Sequence, residues 1–303
     1  MIAGALLTLL LAADVKLQPG VARPGDAVMI QITGSTKTPS GHLGSAELVF
    51  LAFGVDTWVA LVPLSVDLKP QKLSLDAVAI TEGGKEALFG QLEVVKPNFR
   101  RRQLTVSNKF TNPNKKERAW SAADQKAFNE SFDQDFTPWA FTQNFAWPRN
   151  DHVSAPFGDL RLFNNKKKSQ HFGDDIDGET GDPIYASNDG EVVMVRECFG
   201  SGGTVLIHHG GRLFTSYFHM SEFAVKQGER VVSGQPIGKV GSSGRVTGPH
   251  LHFGAKLDGK WVDPQSVLRL EWPHTVAAPA PAATDAGVIS DQPTSPGASP
   301  RTP

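Results

Sequence analysis

Short β-rich runs separated by turn residues limit what this 303-residue chain can fold into. From Val15 to about Val106 the runs are DAVMIQITG (26–34), AELVFLAF (46–53), TWVALVPLS (57–65), QKLSLDAVAI (71–80) and GQLEVV (90–95), broken by PGD, TPSG and EGG. Strands at this spacing predict a small antiparallel β-sandwich of the immunoglobulin-like kind. Glycine-punctuated strands return from Asp151 to about Trp272, and 30 glycines with 21 prolines favour strands and turns over long helices. The expected fold class is therefore mainly β. Nothing in the first unit looks catalytic, and its His42 reads as a solvated histidine in a polar turn.

Five segments are expected: 1–13, 14–106, 107–150, 151–272 and 273–303. The first holds IAGALLTLLLAA, uncharged, apolar and about the length of a signal-peptide core, too short to span a bilayer. It predicts export to the periplasm, cell envelope or exterior, with no integral membrane segment after cleavage. The second is the sandwich. The third is a linker with one helix: SAADQKAFNESF (121–132) places Ser121 three residues before Asp124, with Phe128 and Phe132 four apart, the pattern of a capped amphipathic helix. Eight basic residues between Lys96 and Arg118 predict an exposed connector. Phe136, Trp139, Phe141, Phe145 and Trp147 read as packing between domains. The last segment, rich in Ala, Pro, Ser and Thr, is expected to be disordered.

Thirty Lys and Arg against 31 Asp and Glu leave no overall field to recruit nucleic acid, so no nucleic-acid partner is expected, and the chain reads as a monomer. A single cysteine, Cys198, excludes an internal disulfide and thiolate metal clusters, and reads as a small buried hydrophobe.

Six of nine histidines fall between 171 and 252. In GPHLHFG (248–254), His250 and His252 share one side only if the segment is a strand, where alternate residues face the same way. HFGDDID (171–177) adds His171 and, four residues on, Asp175, with Gly173 between them where the backbone must bend; Asp174 and Asp177 are competing carboxylates that spacing leaves open. With His252 as third ligand, two neutral imidazoles and one carboxylate would hold a Zn²⁺ and keep a position open for water or substrate. His250, and His219 in TSYFHM, are left to serve that water or the oxyanion. In TVLIHHGG, His209 reads as structural and His208 as exposed.

HFGDDID, IHHGGRLFTSYFHM, VKQGERVVSGQPIGKVGSSGRVTGPHLHFG and WVDP, in this order and spacing over about residues 151–268, resemble the lysostaphin-type (LytM-type) zinc metallopeptidases. The resemblance implies a C-terminal antiparallel β peptidase domain with a duplicated hybrid motif fold and a narrow groove. It further implies one Zn²⁺ per chain and endopeptidase hydrolysis of peptide bonds in bacterial cell-wall peptidoglycan, in cross-links or stem peptides. By motif, His171, Asp175 and His252 match the family's metal ligands, and His219 and His250 its catalytic histidines. One departure is Asp174, where the family usually carries an apolar residue and where an added charge would tune the metal or face solvent. The alternative is a non-catalytic wall-binding protein or activator of other wall hydrolases, against which the complete ligand set argues. The rhythm of VKQGERVVSGQPIGKVG also occurs in biotinyl and lipoyl carriers, but Lys239 lies inside the strand pattern and not at a hairpin tip.

Overall fold

The computed structural model describes residues 12–273, so most of the apolar N-terminal run and the Pro/Ala-rich tail lie outside the described residues. The fold is mainly β. Among the described residues no helix is long and apolar enough to cross a membrane.

Two facing sheets make the first unit. One pairs Asp14–Gln18, Ala27–Thr33, Trp58–Pro63 and Leu51–Ala52; the other pairs Val21–Ala22, Gly84–Val94, Gln71–Thr81, Lys37–Leu43 and Ala46–Glu47. Val28, Ile30 and Ile32 alternate inward against Leu75, Leu92 and Val94, the period-2 signature of a packed strand. The pairing is antiparallel except for Val21–Ala22, which lies parallel to Gly84–Val94. TPSG is not a turn: Lys37–Leu43 is a strand, with the register shift around Pro39 accommodating a residue that has no N–H to donate. His42 is therefore on a strand, though exposed. AELVFLAF is two short pieces, one in each sheet, because Leu48 and Phe50 between them turn into the core as the chain crosses over.

The basic segment is no loose connector. Arg101–Leu104 forms a strand parallel to Leu160–Phe163. Arg100 donates from Nε and Nη2 to the two oxygens of buried Asp159, each at 3.1 Å, a paired fork that fixes the chain. The helix also starts earlier than the sequence pattern suggested, spanning Lys115–Phe132, because Asn114 caps it. Asn114 Oδ1 accepts from Glu117 N (3.0 Å) and Asn114 N donates to Glu117 Oε2 (2.8 Å), a reciprocal box that outcompetes Ser121.

A ten-stranded sheet forms the second unit. Its main path runs Val153–Ala155, Asp174–Asp177, His250–Leu257, Leu213–Phe223, Gly202–His208, Gly190–Cys198 and Arg230–Val231. Ile176, Val205, Tyr217, Leu251 and Phe253 are among the side chains of its core. The two units share a third apolar cluster. Ala27, Met29, Phe53 and Val59 of the sandwich meet Phe141, Phe145, Leu257, Val267 and Trp272, so the strand Ala27–Thr33 is buried on both faces. Of the five clustered aromatics, Trp139, Phe141 and Phe145 pack here, whereas Phe136 and Trp147 stay partly exposed.

Candidate metal centre

Strand register brings the site together. His252 lies directly opposite Asp175, and His250 opposite Asp177, on the antiparallel strands His250–Leu257 and Asp174–Asp177. Phe218 of the next strand lies opposite His252 and stacks on its ring, centroids 5.1 Å apart and planes 7° apart. His171, just before the Asp174 strand, completes a triangle. His171 Nε2, Asp175 Oδ1 and His252 Nδ1 are mutually 2.9 Å apart.

The proton count of that triangle shows what it can hold. His171 Nδ1 donates to the carbonyl of Pro156 (3.1 Å), which can only accept, so in the neutral ring Nε2 is a lone pair. Burial lowers the pKa of His252 to about 4, which leaves that ring neutral near pH 7. Burial works to raise the Asp175 carboxyl, but contacts with His171 and His252 outweigh it and hold the group well below the usual carboxylate range. With both rings neutral and His171 carrying its proton on Nδ1, the two nitrogens and the carboxylate oxygen have at most one proton among them. A cation satisfies all three at once, and two imidazoles with one carboxylate are a donor set suited to a metal.

Arg161 and Phe218 are the partners that sequence reasoning missed. Arg161 Nη2 lies 2.5 Å from Asp175 Oδ2, so the second oxygen is occupied and only Oδ1 faces the triangle. No spacing signal marks Arg161, which joins through the fold; Phe218 was legible only as the neighbour of His219. Gly173 is needed for room. A Cβ there would stand 2.5 Å from His252 Nε2 and 2.6 Å from Phe253 O.

Of the competing carboxylates, Asp174 faces away from the triangle and is fully buried, accepting from Phe157 N (2.8 Å) and Gln265 Nε2 (2.9 Å), so it does not face solvent. Asp177 is exposed beside His152.

His219 and His250 stand over the triangle with ring centroids 4.9 Å apart, and His250 Nε2 is 3.6 Å from Asp175 Oδ1. Each donates Nδ1–H to a carbonyl, His219 to Ser243 (2.9 Å) and His250 to Gly248 (2.9 Å), so each neutral ring keeps an Nε2 lone pair. Burial, then the adjacent His250 and His252, press the His219 pKa well below its ordinary value. His219 also has φ +65°, a conformation that costs energy in a residue with a side chain and that clusters at functional sites.

His209 is structural, bonding Asp189 O (2.7 Å) and Thr215 Oγ1 (2.8 Å). His208, expected to be exposed, is buried and stacked on Phe214, and burial lowers its pKa to about 4. Its ring packs as an aromatic. Cys198 is buried and unpaired with another cysteine.

A cavity of about 370 Å³ adjoins His171, His219 and His252. One wall is the helix, through Asp124, Phe128 and Phe132; Arg161, Phe163, Arg245, Lys256 and Trp261 line the rest.

Residues 169–264 match the family described as Peptidase family M23. The chain is 38% identical over 128 residues to the peptidoglycan DD-endopeptidase ShyA of Vibrio cholerae, covering 42% of this chain and 29% of that protein. It is 40% identical over 115 residues to the DD-carboxypeptidase/endopeptidase Mpg of Neisseria meningitidis, covering 38% and 26%. The matched part thus spans less than a third of either relative's length. A crystal structure described as a peptidase M23 from Pseudomonas aeruginosa superposes with a TM-score of 0.60 at 22% identity, over 81% of this chain and 94% of that one, a likeness of fold.

Proposed function

The chain carries a Peptidase family M23 domain, and from that premise we propose that it is a zinc metallo-endopeptidase cutting peptide bonds of bacterial cell-wall peptidoglycan, in cross-links or stem peptides. The observation that carries the reading is the triangle of acceptor atoms with two further Nε2 lone pairs above it. The names of the relatives, both peptidases with DD-endopeptidase or endopeptidase activity, support the substrate class.

His171, Asp175 and His252 would hold the ion; a nitrogen and oxygen set without thiolate suits zinc at a hydrolytic centre. Zinc so held supplies Lewis acidity, polarising a scissile carbonyl and making water acidic near neutral pH. The chain's own residues do the rest. Arg161 and Pro156 O fix the orientation of Asp175 and His171, and Phe218 holds the His252 ring in plane. His219 and His250, each locked by its Nδ1–H, present Nε2 to take a proton from the attacking water. Once protonated, the same nitrogen donates to the oxyanion or to the leaving amine. Action on this polymer implies the envelope or periplasm, with residues 151–272 as the peptidase unit and 14–106 as a sandwich packed against it.

The test is digestion of purified peptidoglycan by the zinc-loaded chain, with chelator and zinc add-back, read by mass spectrometry. Chelator-sensitive release of new peptide amino termini is expected. A folded, zinc-loaded chain that releases none overturns the reading.

A further inference from the structure

Arg245 lies five residues before His250, on the loop that also carries the Ser243 carbonyl holding His219. That loop is clamped. Arg245 N donates to Gly200 O (2.8 Å), Ser243 Oγ accepts from Gly203 N (2.8 Å) and donates to Met220 O (2.9 Å). Gly244 has φ +75°, and a Cβ there would stand 2.5 Å from Gly202 N, so the loop packs against 200–202 closely enough to leave no room for a side chain at 244. The guanidinium is set over the Phe163 ring at 4.6 Å, and Arg245 lines the cavity that also adjoins His171, His219 and His252.

No anion answers it. Among the described residues no carboxylate comes within 4.0 Å of Arg245, and its side chain makes no hydrogen bond. The one acidic side chain lining the cavity, Asp124, is used by Arg196 (3.0 Å) and Phe199 N (2.7 Å). Asp175 is used by Arg161. Burial raises the cost of the Arg245 charge, and the like charge of Arg161 adds to it; Lys167 in turn is repelled by Arg245. An arginine stays charged even so, and a partly buried charge without a partner is costly unless a ligand supplies one. A planar fork of donors fits a carboxylate oxygen pair.

We propose that Arg245 is a specificity-determining residue that binds a free carboxylate of the peptide substrate beside the scissile bond. This rests on reading the site as a peptide-hydrolysing centre, and it narrows the substrate class to peptides bearing a carboxylate near the bond cut.

The probes are cross-linked stem peptides released from peptidoglycan, with carboxyl groups either free or converted to carboxamides. Cleavage by the zinc-loaded chain is followed as separate kcat and KM values. Binding is measured by calorimetry on the zinc-loaded chain carrying His219→Ala. The carboxylate form is expected to bind at least about tenfold tighter than the carboxamide, seen mainly in KM. Arg245→Gln should remove the difference by weakening only the carboxylate form, and Arg245→Lys should restore part of it. Discrimination that survives Arg245→Gln, or equal losses on both forms, overturns the proposal. Carboxylate peptides bound through Arg245 but never cut would uphold this subsite and sink the hydrolytic reading. Equal cleavage of both forms by the unsubstituted chain would do the reverse, and neither binding nor cleavage would sink both.

Discussion

The two oxygens of Asp175 have different partners, and that division shapes what each nearby substitution should do. Oδ2 is held by Arg161 and Oδ1 faces His171 and His252. Arg161→Ala should free the carboxylate to rotate and weaken zinc affinity by about 10- to 100-fold, the usual effect of removing a group that orients a ligand; competition with a chromophoric chelator reads it. His252→Ala should lose metal and hydrolysis together. His219→Ala should retain one zinc by emission spectrometry while losing roughly 10²- to 10⁴-fold in rate. A His219→Ala chain of full activity would remove that histidine from the mechanism.

At the scale of elements, the H-x-H pair works because its segment is a strand paired in register with Asp174–Asp177, so one two-residue period sets His250 and His252 on the same side. The helix Lys115–Phe132 is held against the groove by different means. Its Phe128 and Phe132 meet Phe218, Phe214 and Trp261 edge to face, and buried Asp124 accepts from Arg196 Nε and Phe199 N. Asp124→Ala would leave the Phe199 N–H buried without an acceptor, at a cost of about 1–3 kcal/mol. The expected result is faster amide exchange across 115–132 and a lower melting temperature. Unchanged exchange there would show that the aromatic contacts alone hold the helix.

Across the whole molecule, the sandwich and the ten-stranded sheet share a core and a row of polar contacts: Asp263 N to Gly25 O (2.7 Å), Ala27 N to Ser266 Oγ (2.8 Å), and Gln18 with both backbone groups of Glu271. Burial, then Asp174 and Asp26, push the Asp263 pKa up to about 7. Between the ordinary carboxyl value near about 4 and that value, the folded chain keeps a proton that the unfolded chain has lost. Since the folded state binds more protons in that window, stability should fall as pH rises from about 4 to about 7. Asp263→Asn keeps a capping side chain without the charge. It should raise the melting temperature at pH 8, change it little at pH 4, and flatten the slope between; a slope unchanged by the substitution would place the pH dependence elsewhere.

Strand composition and turn residues made the mainly β fold readable from the sequence, because alternation and glycine breaks act over a few residues. Strand period likewise placed His250 and His252 on one side, whereas His171, Asp175 and His219 were singled out by motif, and spacing left Asp174 and Asp177 open. What local rules could not decide was set by contacts between distant segments. Asn114 outranks Ser121 as the helix cap through a box with Glu117. The choice between Asp174 and Asp175 follows from which face of the strand meets His252, and the burial of His208 follows from packing on Phe214. Arg161 and Arg245 carry no local pattern at all. They reach the candidate metal centre only because strand pairing and a clamped loop bring them there, and a charge shows its purpose only when its surroundings reveal whether it has a partner.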